Sequence, residues 1–164
     1  MSLDIKNILV AKDLSTESAD VIRYALELAG RFDAQVHVLH VMPTVDPAVL
    51  NMVAISMGPD KLAKLNQANE KELADKTRKQ LEKILEEEKN QLGLTLLHTP
   101  KVEVHHGEPV SMILKAADHI DADLIVVGSH SKGRLHYAFL GSVAEKILHK
   151  THRPVIIVPP HPGD

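Results

Sequence analysis

Five short runs dominated by Val, Ile and Leu recur along the chain, at 5–11, 35–41, 101–105, 124–127 and 155–158. Each has the length and composition of a strand. The first, fourth and fifth are almost continuously apolar, as strands covered on both faces are. Between the runs, apolar residues fall at helical spacing. Over 15–31, Ala19, Ile22, Leu26 and Ala29 share one face, with Ser15 or Thr16 placed to cap the start and Gly30 near the end. Pro109 opens another helix, with Val110, Ile113, Leu114 and Ala117 turned inward. Ser142 and Glu145 have the S-x-x-E spacing of a capping box, which predicts a helix starting at 142 with Ile147 and Leu148 buried. A longer helix over 60–91 carries Leu62, Leu65, Leu73, Leu81, Ile84, Leu85 and Leu92 on an intermittent apolar face. Its charges are of mixed sign and balance, which describes a solvated face rather than a membrane or nucleic-acid surface.

Strands alternating with helices define an α/β protein with a parallel sheet. Right-handed crossovers and short connections favour a five-stranded sheet of order 3-2-1-4-5, helices on both faces, in a single domain spanning 1–164. That order reverses between strands 1 and 4, and ligands of open α/β sheets sit at the carboxyl ends of the strands beside such a switch. The places to search are 11–13, 41–43 and the stretch after 127. One connection, 42–59, is too long for a plain loop and is apolar, with room for a short helix. It reads equally as a flap over the site, an oligomer contact or a loop packed on its own domain.

The chain has 164 residues, 44% hydrophobic and 25% charged, which suits a globular domain and excludes disorder. There is no cysteine, so disulfide frameworks, zinc ribbons and thiol chemistry are out. No apolar run has the length of a membrane span, and the first residues lack a basic n-region, so a cytoplasmic location is the expectation. Aromatics at 2% argue against base stacking and hence against nucleic acid. The net charge of -3 is unevenly spread: between Gly128 and Arg153, Lys132, Arg134, Lys146, Lys150 and Arg153 face one acid, Glu145. A basic segment on an acidic chain points to a local anion site, or to a helix face that happens to carry lysines.

That segment holds the candidate chemistry. Gly128-Ser129-His130-Ser131-Lys132-Gly133 leaves the fourth strand and the chain reaches a helix start at Gly141-Ser142-Val143. Glycines admit backbone N–H groups to an anion, and a helix N-terminus supplies unpaired donors and partial positive charge. The spacing is neither Walker A nor the dinucleotide fingerprint, so as bare pattern it is also compatible with a strand exit and a helix cap. Eleven histidines raise the question of a metal. His37 and His40 point to opposite faces of a strand, as do His105 and His106, and no H-E-x-x-H occurs, so no dedicated metal site is expected. No nucleophile elbow or catalytic constellation is recognisable, and Asp121 and Asp123 flank a strand start at the end away from the expected site.

The segments Ile8-Leu9-Val10-Ala11-Lys12-Asp13-Leu14-Ser15, Val38-Leu39-His40-Val41, and Gly128…Gly141-Ser142-Val143 ahead of Arg153-Pro154-Val155-Ile156-Ile157-Val158 resemble the universal stress proteins, in order and over essentially the whole chain. The phosphate loop of that family's ATP-binding branch, G-x2-G-x9-G-[ST], is kept in spacing, with Ser131 in place of the second glycine. The resemblance implies a Rossmann-like, adenine nucleotide alpha hydrolase-like fold that binds ATP, or ADP or AMP. It implies that Ala11, Asp13, Val41 and Val127 line the adenosine pocket and that Gly128 lies near the ribose. His130, Ser131, Gly141, Ser142 and Val143 would then hold the phosphates, with Mg2+ or Mn2+ on phosphate oxygens. It also implies a homodimer through the last strand and a regulatory role in stress response, exerted by nucleotide-dependent conformation or partner binding. Two alternatives stay open: a slow ATP hydrolase or nucleotidyl-transfer enzyme of related fold, and an interaction module that binds no nucleotide.

Overall fold

The structure is a computed structural model, and it describes residues 3–12, 19–129 and 140–159. In chain order the elements are β1 (Asn7–Ala11), α1 (Ala19–Phe32), β2 (Gln35–Met42), α2 (Pro47–Met57), α3 (Pro59–Leu92), β3 (Lys101–His106), α4 (Pro109–His119), β4 (Leu124–Gly128), α5 (Ser142–Lys150) and β5 (Val155–Val158). The five strands form one parallel sheet of order β3-β2-β1-β4-β5, the order expected from the sequence. The register sets Val10 beside both Val38 and Val126.

Alternation along the strands feeds two cores. On one face Ile8, Val10, Val36, Val38 and Val126 meet Ile22 and Leu26 of α1 and Leu81 and Leu85 of α3. On the other, Leu9, Leu39, Ile125 and Val127 meet Val110 and Ile113 of α4 and Ala144 and Ile147 of α5. The central strands β1 and β4 are buried on both faces, which is why they read as continuous apolar runs.

The end of the sheet where the strands begin is laced by side chains. The Asp123 carboxylate accepts the Lys6 and Asn7 N–H groups at 2.8 and 2.9 Å. Arg153 Nε donates to the Ala122 carbonyl at 2.7 Å, and its Nη1 to Asp118 at 2.8 Å. Arg153 therefore belongs to the scaffold at the end away from the expected site, and is no part of a local anion patch.

Gly30 lies near the end of α1, as expected, where an added Cβ would stand 3.5 Å from Leu94 Cδ2, and the chain turns at Asp33, φ 53°. Two local expectations need correction. Ser142 does not cap α5. Gly141, in extended conformation (φ -63°, ψ 149°), takes the cap position, Ser142 is already the first helical residue and is exposed, and no side chain of the described residues caps the helix. Leu148, expected inside, is 44% exposed. The predicted caps Ser15 and Thr16 lie outside the described residues. The long connection 42–59 forms α2, capped by the Asp46 carboxylate accepting from Ala48 N–H at 2.8 Å. None of its residues is buried. The first half of α3 is likewise open, with Leu65 and Leu73 about half exposed, because α3 is some 50 Å long at 1.5 Å per residue and outruns the sheet.

Candidate functional site

A cavity of about 330 Å3 opens where the carboxyl ends of β1, β2 and β4 meet the first turns of α4 and α5. Its floor is apolar: Leu39 and Val41 from β2, Val127 from β4, Ile113 from α4, Val143 and Ala144 from α5. Ala11 and Lys12 close it at the end of β1, and Gly128 and Ser129 at the exit of β4. This is the switch point of the sheet, between β1 and β4.

The polar side of the cavity is the start of α5. Gly141 N–H donates to the Ser129 carbonyl at 2.6 Å, which pins the return of the chain to the exit of β4. The first helical bond runs from Glu145 N–H to the Gly141 carbonyl at 2.9 Å. The N–H groups of Ser142, Val143 and Ala144 therefore have no acceptor within the helix. All three residues line the cavity, and no described side chain caps them.

α4 starts beside the same cavity but is closed to anions. The Glu108 carboxylate accepts from Ser111 N–H at 2.7 Å and Val110 N–H at 3.2 Å. The Ser111 hydrogen bond above all, then that of Val110 and the charges of Lys146 and Lys150, hold the Glu108 carboxyl below its usual range. The one helix start is filled by the protein's own carboxylate, and at the other no side chain of the described residues takes that place.

His40 is a functional candidate that the strand pattern conceals. Its Nδ1 lies 2.7 Å from the Lys12 carbonyl, while Lys12 N–H donates to the Leu39 carbonyl at 3.1 Å. A carbonyl can only accept, so Nδ1 is the donor and a neutral ring carries its lone pair on Nε2. His40 thereby clamps the end of β1 to β2 at the cavity wall. Lys12 itself is buried there. Read from sequence, His40 was one histidine among eleven and Lys12 one base among nineteen. Parity along β2, which turns His40 away from Leu39, was the available signal.

Of the residues predicted for the site, Ala11, Val41, Val127, Gly128, Gly141, Ser142 and Val143 all line this cavity. Asp13, His130 and Ser131 lie outside the described residues, as do Lys132 and Arg134. A larger hollow of about 730 Å3 lies at the opposite end of the sheet, among Lys6, His37, Lys101, Glu103 and His119. It is shallow and lined mostly by exposed charged groups, and it sits at the amino ends of the strands, away from the uncapped helix start. The smaller cavity is the better site.

The architecture and the position of the cavity are those of a doubly wound α/β protein with a ligand site at its switch point. A sequence model of the universal stress protein family matches residues 4–159, and the chain belongs to that family. It is 31% identical over 153 residues to universal stress protein MJ0531 of Methanocaldococcus jannaschii, covering 93% of this chain and 81% of the relative. Among solved structures, MJ0577 shares the fold with a TM-score of 0.69 and 24% identity, covering 98% of this chain and 99% of that one. The universal stress protein from Archaeoglobus fulgidus in complex with dAMP superposes with a TM-score of 0.55 and 24% identity, covering 94% and 98% of the two chains. Among the described residues no helix is long and apolar enough to cross a membrane.

Proposed function

We propose that this universal stress protein binds ATP in the cavity at the switch point and acts in stress response as a nucleotide-dependent regulatory module. The observation that carries the reading is the start of α5, uncapped by any described side chain, opening onto an apolar floor: N–H groups without a helical acceptor for phosphate beside a surface for a base. The dAMP complex of the A. fulgidus relative supports it. In this reading Ala11, Asp13, Val41 and Val127 surround the adenosine, Gly128 approaches the ribose, and His130, Ser131, Gly141, Ser142 and Val143 hold the phosphates. A divalent cation, Mg2+ or Mn2+, would be held through phosphate oxygens, as the family resemblance implies.

The reading includes a cytoplasmic homodimer through β5. The two sheet edges differ: β3 exposes Lys101, Glu103 and His105, which discourage strand addition, whereas β5 is Val-Ile-Ile-Val with no charge. Mass spectrometry of ligand released from purified protein tests the nucleotide, with ATP or ADP expected. An empty site together with no thermal shift at millimolar Mg-ATP would overturn it.

A further inference from the structure

β2 supplies Leu39 and Val41 to the cavity wall, and Pro43, just past its end, lines it too. The last bond that holds this strand to the sheet is Gly107 N–H to the Met42 carbonyl, 3.0 Å. From Pro43 to Val45 the chain is exposed, and no hydrogen bond among the described residues ties it down. α2 begins directly afterwards, capped by Asp46. Its sequence, Pro-Ala-Val-Leu-Asn-Met-Val-Ala-Ile-Ser-Met, has no charged residue and no buried one, whereas a helix apolar all round is ordinarily buried. It packs on α3, and Leu50, Val53 and Ala54 are half-buried. Val49, Met52 and Ile55, spaced by three and so on one stripe, stay open at 51%, 74% and 87% exposure. A single residue, Gly58, joins α2 to α3; its φ of 89° favours glycine, and an added Cβ there would meet nothing within 4 Å.

α2 stands at the cavity's end of the molecule. α3 links the carboxyl end of β2 to the amino end of β3, so it runs antiparallel to the strands. Its second half meets the sheet through Leu81 and Leu85. Its first half, 59–75, about 26 Å long at 1.5 Å per residue, therefore projects past the carboxyl ends. α2, some 16 Å long and tethered at Gly58, packs on that projecting half. We propose that α2 is a lid for the cavity: turning between the 43–45 segment and Gly58, it brings Val49 and Met52 over the base of a bound nucleotide. The lid rests on the nucleotide reading of the cavity. Three observations select the cavity as what the stripe covers. The stripe follows the cavity wall within a few residues, and it lies at the same end of the sheet. The floor it would meet, Leu39, Val41, Ile113 and Val127, is as apolar as the stripe itself. The tether is long enough, since extended chain to Pro47 and helix from there put Met52 up to about 21 Å from Pro43. Closure exchanges the partial contacts of Leu50, Val53 and Ala54 on α3 for contacts of the stripe with base and floor. Over an empty cavity the same movement would enclose a void, so the ligand favours the closed state over the open one.

The chain contains no cysteine, so a single thiol can be placed where it is needed. In the full chain, Met52→Cys should react freely with a maleimide, and saturating Mg-ATP should slow that reaction about tenfold, as a lid open roughly a tenth of the time requires. Lys79→Cys, exposed on the second half of α3, should react at one rate throughout. Isothermal titration of the same chains shows whether Mg-ATP binds. Met52→Gln, which keeps the length of the side chain and makes it polar, should bind Mg-ATP about tenfold more weakly with an unchanged circular dichroism spectrum. Binding heat with an unchanged rate at position 52, or equal affinity for Met52→Gln and wild type, overturns the lid and leaves the nucleotide reading standing. No binding heat overturns the nucleotide reading and the lid with it. Protection at position 52 that follows protein concentration rather than Mg-ATP assigns the stripe to a second copy and overturns the lid equally.

Discussion

Ser142→Glu separates ligand binding from stability, because it moves the two in opposite directions. Ser142 is the first residue of α5, exposed, and on the cavity wall. A carboxylate in the first turn of a helix interacts favourably with the macrodipole by about 0.3–1 kcal/mol. For a domain of this size that raises Tm by roughly 1–4 °C without ligand. In the proposed reading the same charge stands where the nucleotide phosphates would sit. At a separation of about 5 Å, one added negative charge repels one phosphate charge by about 1 kcal/mol at the dielectric of water and about 3 kcal/mol at an effective value near 20. ATP should therefore bind some five- to 150-fold more weakly. Differential scanning fluorimetry without ligand and with saturating Mg-ATP reads both effects. Wild type at 100 times its Kd should gain about 2.7 kcal/mol, or 5–11 °C. The variant should start higher and gain less. Isothermal titration fixes the affinities. If Ser142→Glu binds ATP as tightly as wild type while its unliganded Tm rises, the phosphates do not lie at the start of α5 and the reasoning fails.

Burial first, and then Lys101, holds His37 below the ordinary imidazole pKa of 6.5. As the pH falls through 6.5 the unfolded chain gains a proton there that the folded chain does not, so stability declines from that point down to the depressed folded pKa. The drop in Tm between pH 7.5 and 5.5 should be smaller in His37→Gln; an equal drop would refute the assignment. Ile147, fully buried, is one of two residues anchoring α5, so Ile147→Ala should cost about 2–5 kcal/mol in urea unfolding. Ile125 N–H and Ser129 N–H donate to the carbonyls of Pro154 and Val158, so alternation turns the N–H of Ile157 to the free edge. Ile157→Pro should leave the sheet intact and yield monomers by light scattering if copies pair through β5; an undiminished dimer would place that contact elsewhere.

The fold was legible because each strand announces itself twice, by Val and Ile content and by the Gly, Pro or charged residues at its ends. The strand order followed from handedness and connection length rather than from any single residue. The cavity walls from β1, β2 and β4 were legible for the same reason, since the switch point names the strand ends in advance. What stayed hidden depended on side-chain geometry. Ser142 and Glu145 have capping-box spacing, but the box requires extended backbone at serine, and the extended residue is Gly141. The difference is one position, and among the described residues it leaves the helix start facing the cavity without a side-chain cap. Glu108 was invisible as a cap because glutamate is not a preferred N-cap residue; its longer side chain reaches Val110 and Ser111 all the same. The apolar run at 42–59 gave no periodicity to read, because a helix with apolar residues on every side has no stripe.

The distribution of side-chain bonds explains how a small ligand can matter to this fold. At the amino ends of the strands, Asp123 takes two backbone N–H groups and Arg153 ties β5 to Ala122 and Asp118, so that end is held by ionic and charge-assisted bonds. At the carboxyl ends, His40 meets Lys12, backbone bonds join Lys12 to Leu39, Gly107 to Met42, Ser129 to Val158 and Gly141 to Ser129, and the Glu108 carboxylate takes two N–H groups of α4. α5, nine residues long with Ala144 and Ile147 as its buried anchors, starts at the Gly141 bond to Ser129. A nucleotide seated on the α5 donors would add bonds between α5 and the exit of β4. Its binding energy would go into fixing α5 relative to β4 rather than into a sheet already fixed from its other end, which is the arrangement a regulatory site requires.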